Sequence, residues 1–258
     1  MFIKKDNFKK LYEAIKQNYL LSICSIFHVI AMSILYPFNS QNSSFINVTI
    51  GFITYALSCF IGYYVHVFIH YVNFEQVYKS INISSYLPKP IDYIIKKIVY
   101  IIDFHDKIHH NTKINKLWYN IVIEAISNVI VEGVGLIVLF KILDFGIQIR
   151  GHILKFNYPI LFAWSLTYAT VHNINYNIIT PICHIQHHLN KKTNYGSDFM
   201  DILFSSKYDD VPEETNHVSL NVILSTLFII FIKDYWKPKK ENGVSKYLYN
   251  FVNWFVSY

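Results

Sequence analysis

The chain has 258 residues, of which 53% are hydrophobic and 17% aromatic, too apolar for an average soluble domain, so one membrane-integral domain over residues 1–258 is expected. The formal charge of +6 comes from 23 basic and 17 acidic residues, with the lysines spread among loops; no basic stripe on a soluble module is present, which argues against nucleic acid as a partner and for anionic headgroups. Cys24, Cys59 and Cys183 are scattered, two of them in apolar segments, and read as apolar packing rather than a disulfide framework.

The N-terminus, MFIKKDNFKK, lacks a short apolar core followed by a small-residue cleavage site, so no removable signal peptide is expected. Four apolar segments follow, at Tyr19 to Tyr36, Ile46 to Phe68, Tyr119 to Leu143 and Tyr158 to Thr180. A hydrocarbon core takes about 20 helical residues, so the expected fold is an all-α integral membrane protein with about four transmembrane helices in two hairpins. Lysines before the first span and from Lys79 to Lys116 put those segments on the cytoplasmic side, because flanking basic residues stay inside. Under that topology the histidine-rich ends of the spans form a cytoplasmic metal-binding cap. The stretch Val218 to Ile232 is short for a crossing, so residues 209–258 are expected to form an interfacial or re-entrant C-terminal segment, ending in the aromatic YLYNFVNWFVSY.

Eight of the twelve histidines fall into three clusters: His66-Val-Phe-Ile-His70, His105-Asp-Lys-Ile-His109-His110 and His184-Ile-Gln-His187-His188. At about 100° per residue, His66 and His70 project roughly 40° apart on a helix, and His184, His187 and His188 share an arc of about 100°. Each of these clusters can converge on one point. Crowding so many imidazoles without a shared partner leaves donors and acceptors unpaired at about 1–3 kcal/mol each, whereas a metal takes one ring nitrogen from each. The HExxH signature and paired cysteines are absent, and a four-coordinate structural zinc needs half these ligands. More than six nitrogens argue for two ions, but imidazole suits iron, copper, nickel and zinc alike.

HVFIH, HDKIHH and HIQHH, in that order and interleaved with two apolar hairpins, resemble the histidine boxes of the membrane fatty acid hydroxylase and sterol desaturase superfamily. The resemblance runs from about Tyr64 to Tyr208 and extends past the last box, where Asn194-Tyr195-Gly196 and DFMDILFSS are similar to the family's Asn-Tyr-Gly and its aromatic-Asp-x-Leu-Phe-Gly ending. Met200 stands where an aromatic residue is usual and Ser205 where glycine is usual. The resemblance implies metal ligation by His66, His70, His105, His109, His110, His184, His187 and His188, with His172 where a further ligand histidine of the family falls. It implies two iron ions, for which zinc substitutes in preparations, and the use of O2 to hydroxylate or desaturate a membrane lipid: a sterol, fatty acyl chain, sphingolipid or alkylglycerol. It also implies a separate electron donor such as cytochrome b5 and its reductase, since no His-Pro-Gly-Gly signature of a fused module is present. The location expected is the endoplasmic reticulum membrane in a eukaryote, or the cytoplasmic membrane in a bacterium.

Outside the boxes, Glu124 and Glu132 lie in the third span, where a carboxylate is a candidate functional residue; Glu132 is deeper and a candidate for bonding a facing span or a substrate hydroxyl, while for Glu124, near the cytoplasmic end, contact with water is the alternative. Asp103, Asp106 and Asp201 are candidates for orienting ligand histidines through their second ring nitrogen. Asn194, Tyr195 and Gly196 are expected in a supporting role, and His28, His152 and His217 as ordinary polar residues. The competing reading is a metal-binding membrane protein or transporter without oxygenase activity. Transporters place ligands inside the spans along a path, whereas these boxes gather at one end.

Overall fold

A computed structural model describes residues 5–103, 107, 109–111, 117–149, 156–209 and 211–235. Among the described residues every regular element is helical. In chain order, α1 (Lys5–Gln17) and α2 (Tyr19–Leu35) meet at a bend of 86°, followed by the 28-residue α3 (Ser44–Tyr71). The short α4 (Phe74–Ser80) and the amphipathic α5 (Lys89–Ile102) come next. Then α6 (Trp118–Asn128) runs through a π-helical turn (Val129–Val134) into α7 (Gly135–Ile149). In the same way α8 (Tyr158–Thr170) passes through a π-helical turn (Val171–Asn175) into α9 (Tyr176–Ile179). The chain continues with α10 (Ile182–Leu189), α11 (Asp198–Phe204) and α12 (Ser219–Ile230).

Among the described residues, length and composition make two helices fit to cross a membrane, Ser44–Tyr71 and Asn216–Tyr235, and a third if the bent pair α1–α2 counts as one span. At about 1.5 Å per residue the 28-residue α3 is roughly 42 Å long, so it exceeds a hydrocarbon core of about 30 Å by about two turns. Its surplus carries the first histidine box. This outcome differs from the expected set of four spans. The third and fourth apolar segments are helical, but each is interrupted by a π-helical turn. The stretch expected in the interface is instead part of the 20-residue helix Asn216–Tyr235. Polar Asn216, His217, Lys233 and Asp234 close its two ends, so counting apolar residues alone shortens it.

The core forms where α2, α3, α8 and α12 cross. Val29 and Met32 of α2 pack with Ile160 and Ala163 of α8 and Ile229 of α12, and a second cluster joins Leu136, Ile137 and Phe140 of α7 to Leu161. Small residues allow the close approaches: a Cβ on Gly51 would stand 2.1 Å from Ser33 Oγ, and one on Gly62 would stand 2.3 Å from the Trp164 ring. The buried Asn157 joins three helices. Its backbone N–H donates to Thr54 Oγ1 at 3.0 Å, its amide to the Tyr36 carbonyl at 3.2 Å, and its side-chain oxygen caps α8 by accepting from Ile160 N at 3.2 Å. The outer faces expose large apolar side chains such as Ile23 and Phe27 of α2 and Leu224 and Leu227 of α12, a surface suited to lipid rather than water.

The bend between α1 and α2 is held from outside. Asn18 donates to the Glu213 carbonyl at 2.8 Å and accepts from Thr215 N at 2.6 Å. Asn7 of α1 donates to the Leu203 carbonyl and to Ser205 Oγ, both at 3.0 Å, which fixes α1 against α11. The three cysteines are unpaired with one another, and Cys59 is buried beneath Trp164, as apolar packing requires.

Candidate metal centre

Histidines distant in sequence meet at one place because the helix ends that carry them converge. His66 and His70 lie one turn apart near the end of α3 and face away from a groove lined by Phe60, Tyr64, Phe68 and Tyr71 on the same helix. His184, His187 and His188 lie on α10, and His172 sits in the π-helical turn after α8. A π-helical turn inserts an extra residue into the spiral and re-aims the side chains after it, a feature common at functional sites.

Two groups of imidazole nitrogens result. In the first, the Nε2 atoms of His66, His70 and His187 form a triangle with sides of 3.1 Å (His66–His70), 3.3 Å (His66–His187) and 3.1 Å (His70–His187). In the second, His109 joins His184 and His188, whose Nε2 atoms are 3.0 Å apart. The ring of His109 also lies 4.6 Å from that of His172, centre to centre. His110 stands between the groups, its ring 4.8 Å from those of His70 and His187 and 4.7 Å from that of His188. Two ligands each about 2.1 Å from one ion are roughly 3.0 Å apart at a right angle and about 3.4 Å apart at a tetrahedral angle. The observed separations fall in that interval, so the buried histidine clusters are spaced to hold metal. His105, Asp106, His152 and the side chain of Glu132 lie outside the described residues.

The second ring nitrogens are also engaged. His187 Nδ1 donates to the Thr193 carbonyl at 2.7 Å; a carbonyl only accepts, so the proton is on Nδ1 and the Nε2 lone pair points into the triangle. His66 Nδ1 faces the Tyr168 hydroxyl at 3.2 Å. Burial, reinforced by neighbouring histidines, holds His109 and His184 well below the usual imidazole value and lowers His110 too. Burial lowers His187 to about 3 against the opposing effect of its bond to Thr193, and His188 to about 4. These rings are therefore neutral at pH 7, the form that ligates.

Beneath α10 the segment 194–208 forms a tight support. Asn194 adopts a left-handed conformation (φ 55°), donates to the Cys183 carbonyl at 3.0 Å and accepts from Tyr208 N at 3.2 Å. Asp201 accepts from Tyr195 N at 2.8 Å, Gly196 N at 3.1 Å and Ser206 Oγ at 2.7 Å. A Cβ on Gly196 would lie 2.9 Å from the Tyr63 ring, so glycine is what lets the loop close on α3. The Tyr63 hydroxyl donates to Ser206 Oγ at 2.7 Å. Asp201 thus holds the loop that presents Thr193 and bonds to no histidine among the described residues, which corrects the expectation that it orients a ring directly. Asp103 likewise caps α4, accepting from Phe74 N at 3.0 Å and Glu75 N at 2.9 Å, and pairs with Lys107 at 3.2 Å. His28 is an ordinary buried polar group, bonded to Thr226 Oγ1 at 2.7 Å across α2 and α12.

Glu124 is the main addition to the site. Of the two readings its position allowed, a functional carboxylate or one that reaches water, the structure excludes the second: it is 5% exposed, and its Oε1 lies 2.7 Å from His109 Nδ1 and 3.3 Å from His172 Nε2. The sequence signal was a carboxylate inside an apolar run; what it lacked was the neighbour, because the π-helical turn that brings His172 alongside leaves no mark on residue spacing. Tyr168 and Thr193 were missed for a related reason, since a hydroxyl and a backbone carbonyl carry no motif. Comparison with known proteins yields no match to a family model, a curated protein or a solved structure.

Proposed function

We propose that the chain is a membrane-bound, non-haem di-iron oxygenase that hydroxylates or desaturates a lipid with O2 and electrons from a separate donor such as cytochrome b5 and its reductase. The observation that carries this reading is the meeting of histidines from all three boxes in two adjacent groups with metal-ligand separations. His66, His70, His110 and His187 would hold one ion and His109, His172, His184 and His188 the other. The same proposal includes four crossings in two hairpins and the boxes on the cytoplasmic face.

Iron bound by neutral imidazoles keeps a high positive charge and supplies the activation of O2 that cleavage of an unactivated C–H bond requires. The chain's own part is positioning. Thr193 fixes the His187 tautomer, Tyr168 braces His66, and the loop anchored by Asp201 holds α10 against α3. Tyr195, 5% exposed, lies with its ring 5.8–6.1 Å from those of His66, His70 and His187 and excludes water from that side. The lipid-facing apolar helices supply a path by which a lipid tail stays in the bilayer while electrons arrive from water.

The test is lipid profiling under 18O2 with the wild type and His187→Ala. Label in a lipid with the wild type alone supports hydroxylation, and a new double bond without label indicates desaturation. Identical profiles overturn the reading and leave a metal-binding or transport protein.

A further inference from the structure

Glu124 belongs to none of the three histidine boxes, yet one of its oxygens stands against two of the site's nitrogens. We propose that Glu124 is itself a metal ligand, so that the centre has one half held by imidazole alone and another, at His109, His172 and Glu124, that carries a carboxylate. The inference rests on the metal-centre reading above and concerns how the two ions differ.

Three observations support it. The Oε1 distances of 2.7 Å and 3.3 Å to His109 Nδ1 and His172 Nε2 bracket the roughly 3.0 Å expected between neighbouring ligands of one ion. All three side chains are buried, with relative exposures of 6%, 6% and 4% for His109, Glu124 and His172. Burying an ionised carboxylate is costly unless a cation or several donors meet it. Among the described residues the ionisable partners of Glu124 are these two histidines, and no lysine or arginine pairs with it. An ion shared by the three supplies the missing positive charge. Among the described residues the first triangle, His66, His70 and His187, has no carboxylate in its group.

The consequence is chemical inequality. A carboxylate lowers the net charge of its half and favours the higher oxidation state there, while the all-nitrogen half stays more electrophilic. The two ions should then differ in retention and in spectrum.

Purified full-length wild type, Glu124→Gln and His70→Ala are loaded with cadmium-113, challenged with a chelator, and assayed for ions per chain and by cadmium NMR. The Glu124→Gln amide oxygen can accept a hydrogen bond from His109 Nδ1, so a role limited to positioning that ring survives the substitution, whereas a neutral amide is a poor ligand. The expected result is two retained ions in the wild type and one in Glu124→Gln, the lost ion being held more weakly by about 100-fold, the upper end of what removing even an outer-shell partner costs. The resonance that disappears should be the one shifted upfield by oxygen ligation, and His70→Ala should lose the other. Two ions retained in Glu124→Gln with an unchanged spectrum overturn the inference while leaving the metal centre intact. Failure of the wild type to retain any ion overturns the reading beneath it. Should Glu124→Gln not fold, the wild-type spectrum decides: two signals at nitrogen-only positions overturn the proposal.

Discussion

At Asn157, in the crossing of α2, α3 and α8, every polar group of the side chain meets a group of opposite kind: the amide reaches the Tyr36 carbonyl and the oxygen takes Ile160 N–H. At the histidine centre, nitrogens of the same kind face one another at 3.1–3.3 Å, and one of them, His187 Nε2, has its proton committed elsewhere. Both regions are buried, and both hold helices together. The Asn157 cluster is satisfied by protein atoms alone, whereas the nitrogens of the triangle are spaced to hold a metal ion. Electrostatics therefore separates a structural polar cluster from a ligand set more clearly than burial does.

That contrast breaks most completely at His187. Replacing it with alanine removes one corner of the triangle and orphans the Thr193 carbonyl, and product formation in the 18O2 assay should fall below detection together with loss of one ion per chain. Asn157→Ala is the reciprocal perturbation. Losing the α8 cap costs about 1 kcal/mol and leaving the Tyr36 carbonyl unpaired about 1–3 kcal/mol, so unfolding in detergent should show a destabilisation of roughly 2–4 kcal/mol. Metal content at saturating ion should remain that of the wild type. A matching loss of metal would mean that the two regions are one cooperative unit.

Of the two helices apolar enough to cross a membrane, Ser44–Tyr71 was readable because apolar composition over about 20 residues has one physical outcome in lipid, whereas Asn216–Tyr235 was not, because the polar residues at its ends shorten its apolar run. The convergence of His66 with His70, and of His184 with His188, was readable from helical spacing. The partnership of Glu124 with His109 and His172 was not: it depends on π-helical turns and on how α6 crosses α8, which residue spacing does not encode. Asp201 shows the opposite error. Its place in a family-like segment suggested a role beside the rings, but its two oxygens are taken by the Tyr195 and Gly196 amides and the Ser206 hydroxyl.

A weaker contrast lies between the loop carboxylate and the rings it supports, and pH resolves it. Burial raises Asp201 to about 6 despite its three donors, so the folded state binds that proton more tightly than the unfolded chain does at about 3.9. Its contribution is therefore present below about pH 4 and lost as pH rises through 6, on the order of 2–3 kcal/mol. The histidines act in the opposite sense. Their values are lowered in the folded state, so their contribution is full above about 6.5 and is lost as pH falls toward the values of about 3 and 4 of His187 and His188. In metal-free protein the wild type should lose stability on acidification from pH 7 to 4, and Asp201→Asn should lose more of it, because the compensating proton uptake is gone. Equal slopes in denaturant titrations of the two proteins would remove Asp201 from the pH response.

The smallest expected effect falls at Ser205, where the family-like segment ends in serine in place of glycine. Ser205 holds φ at 57°, the left-handed region that costs a residue with a Cβ about 1 kcal/mol. The same side chain accepts the amide of Asn7 at 3.0 Å, a bond worth roughly 0.5–1.5 kcal/mol that glycine cannot make. The two terms nearly cancel, so Ser205→Gly should leave stability within about 1 kcal/mol of the wild type. Asn7→Ala, which removes the bond and keeps the strain, should destabilise by more. Measured together by thermal unfolding, the pair separates a backbone requirement of the loop from a contact that fixes α1 against α11. A large gain in Ser205→Gly would show that the contact contributes little and that the strain is uncompensated.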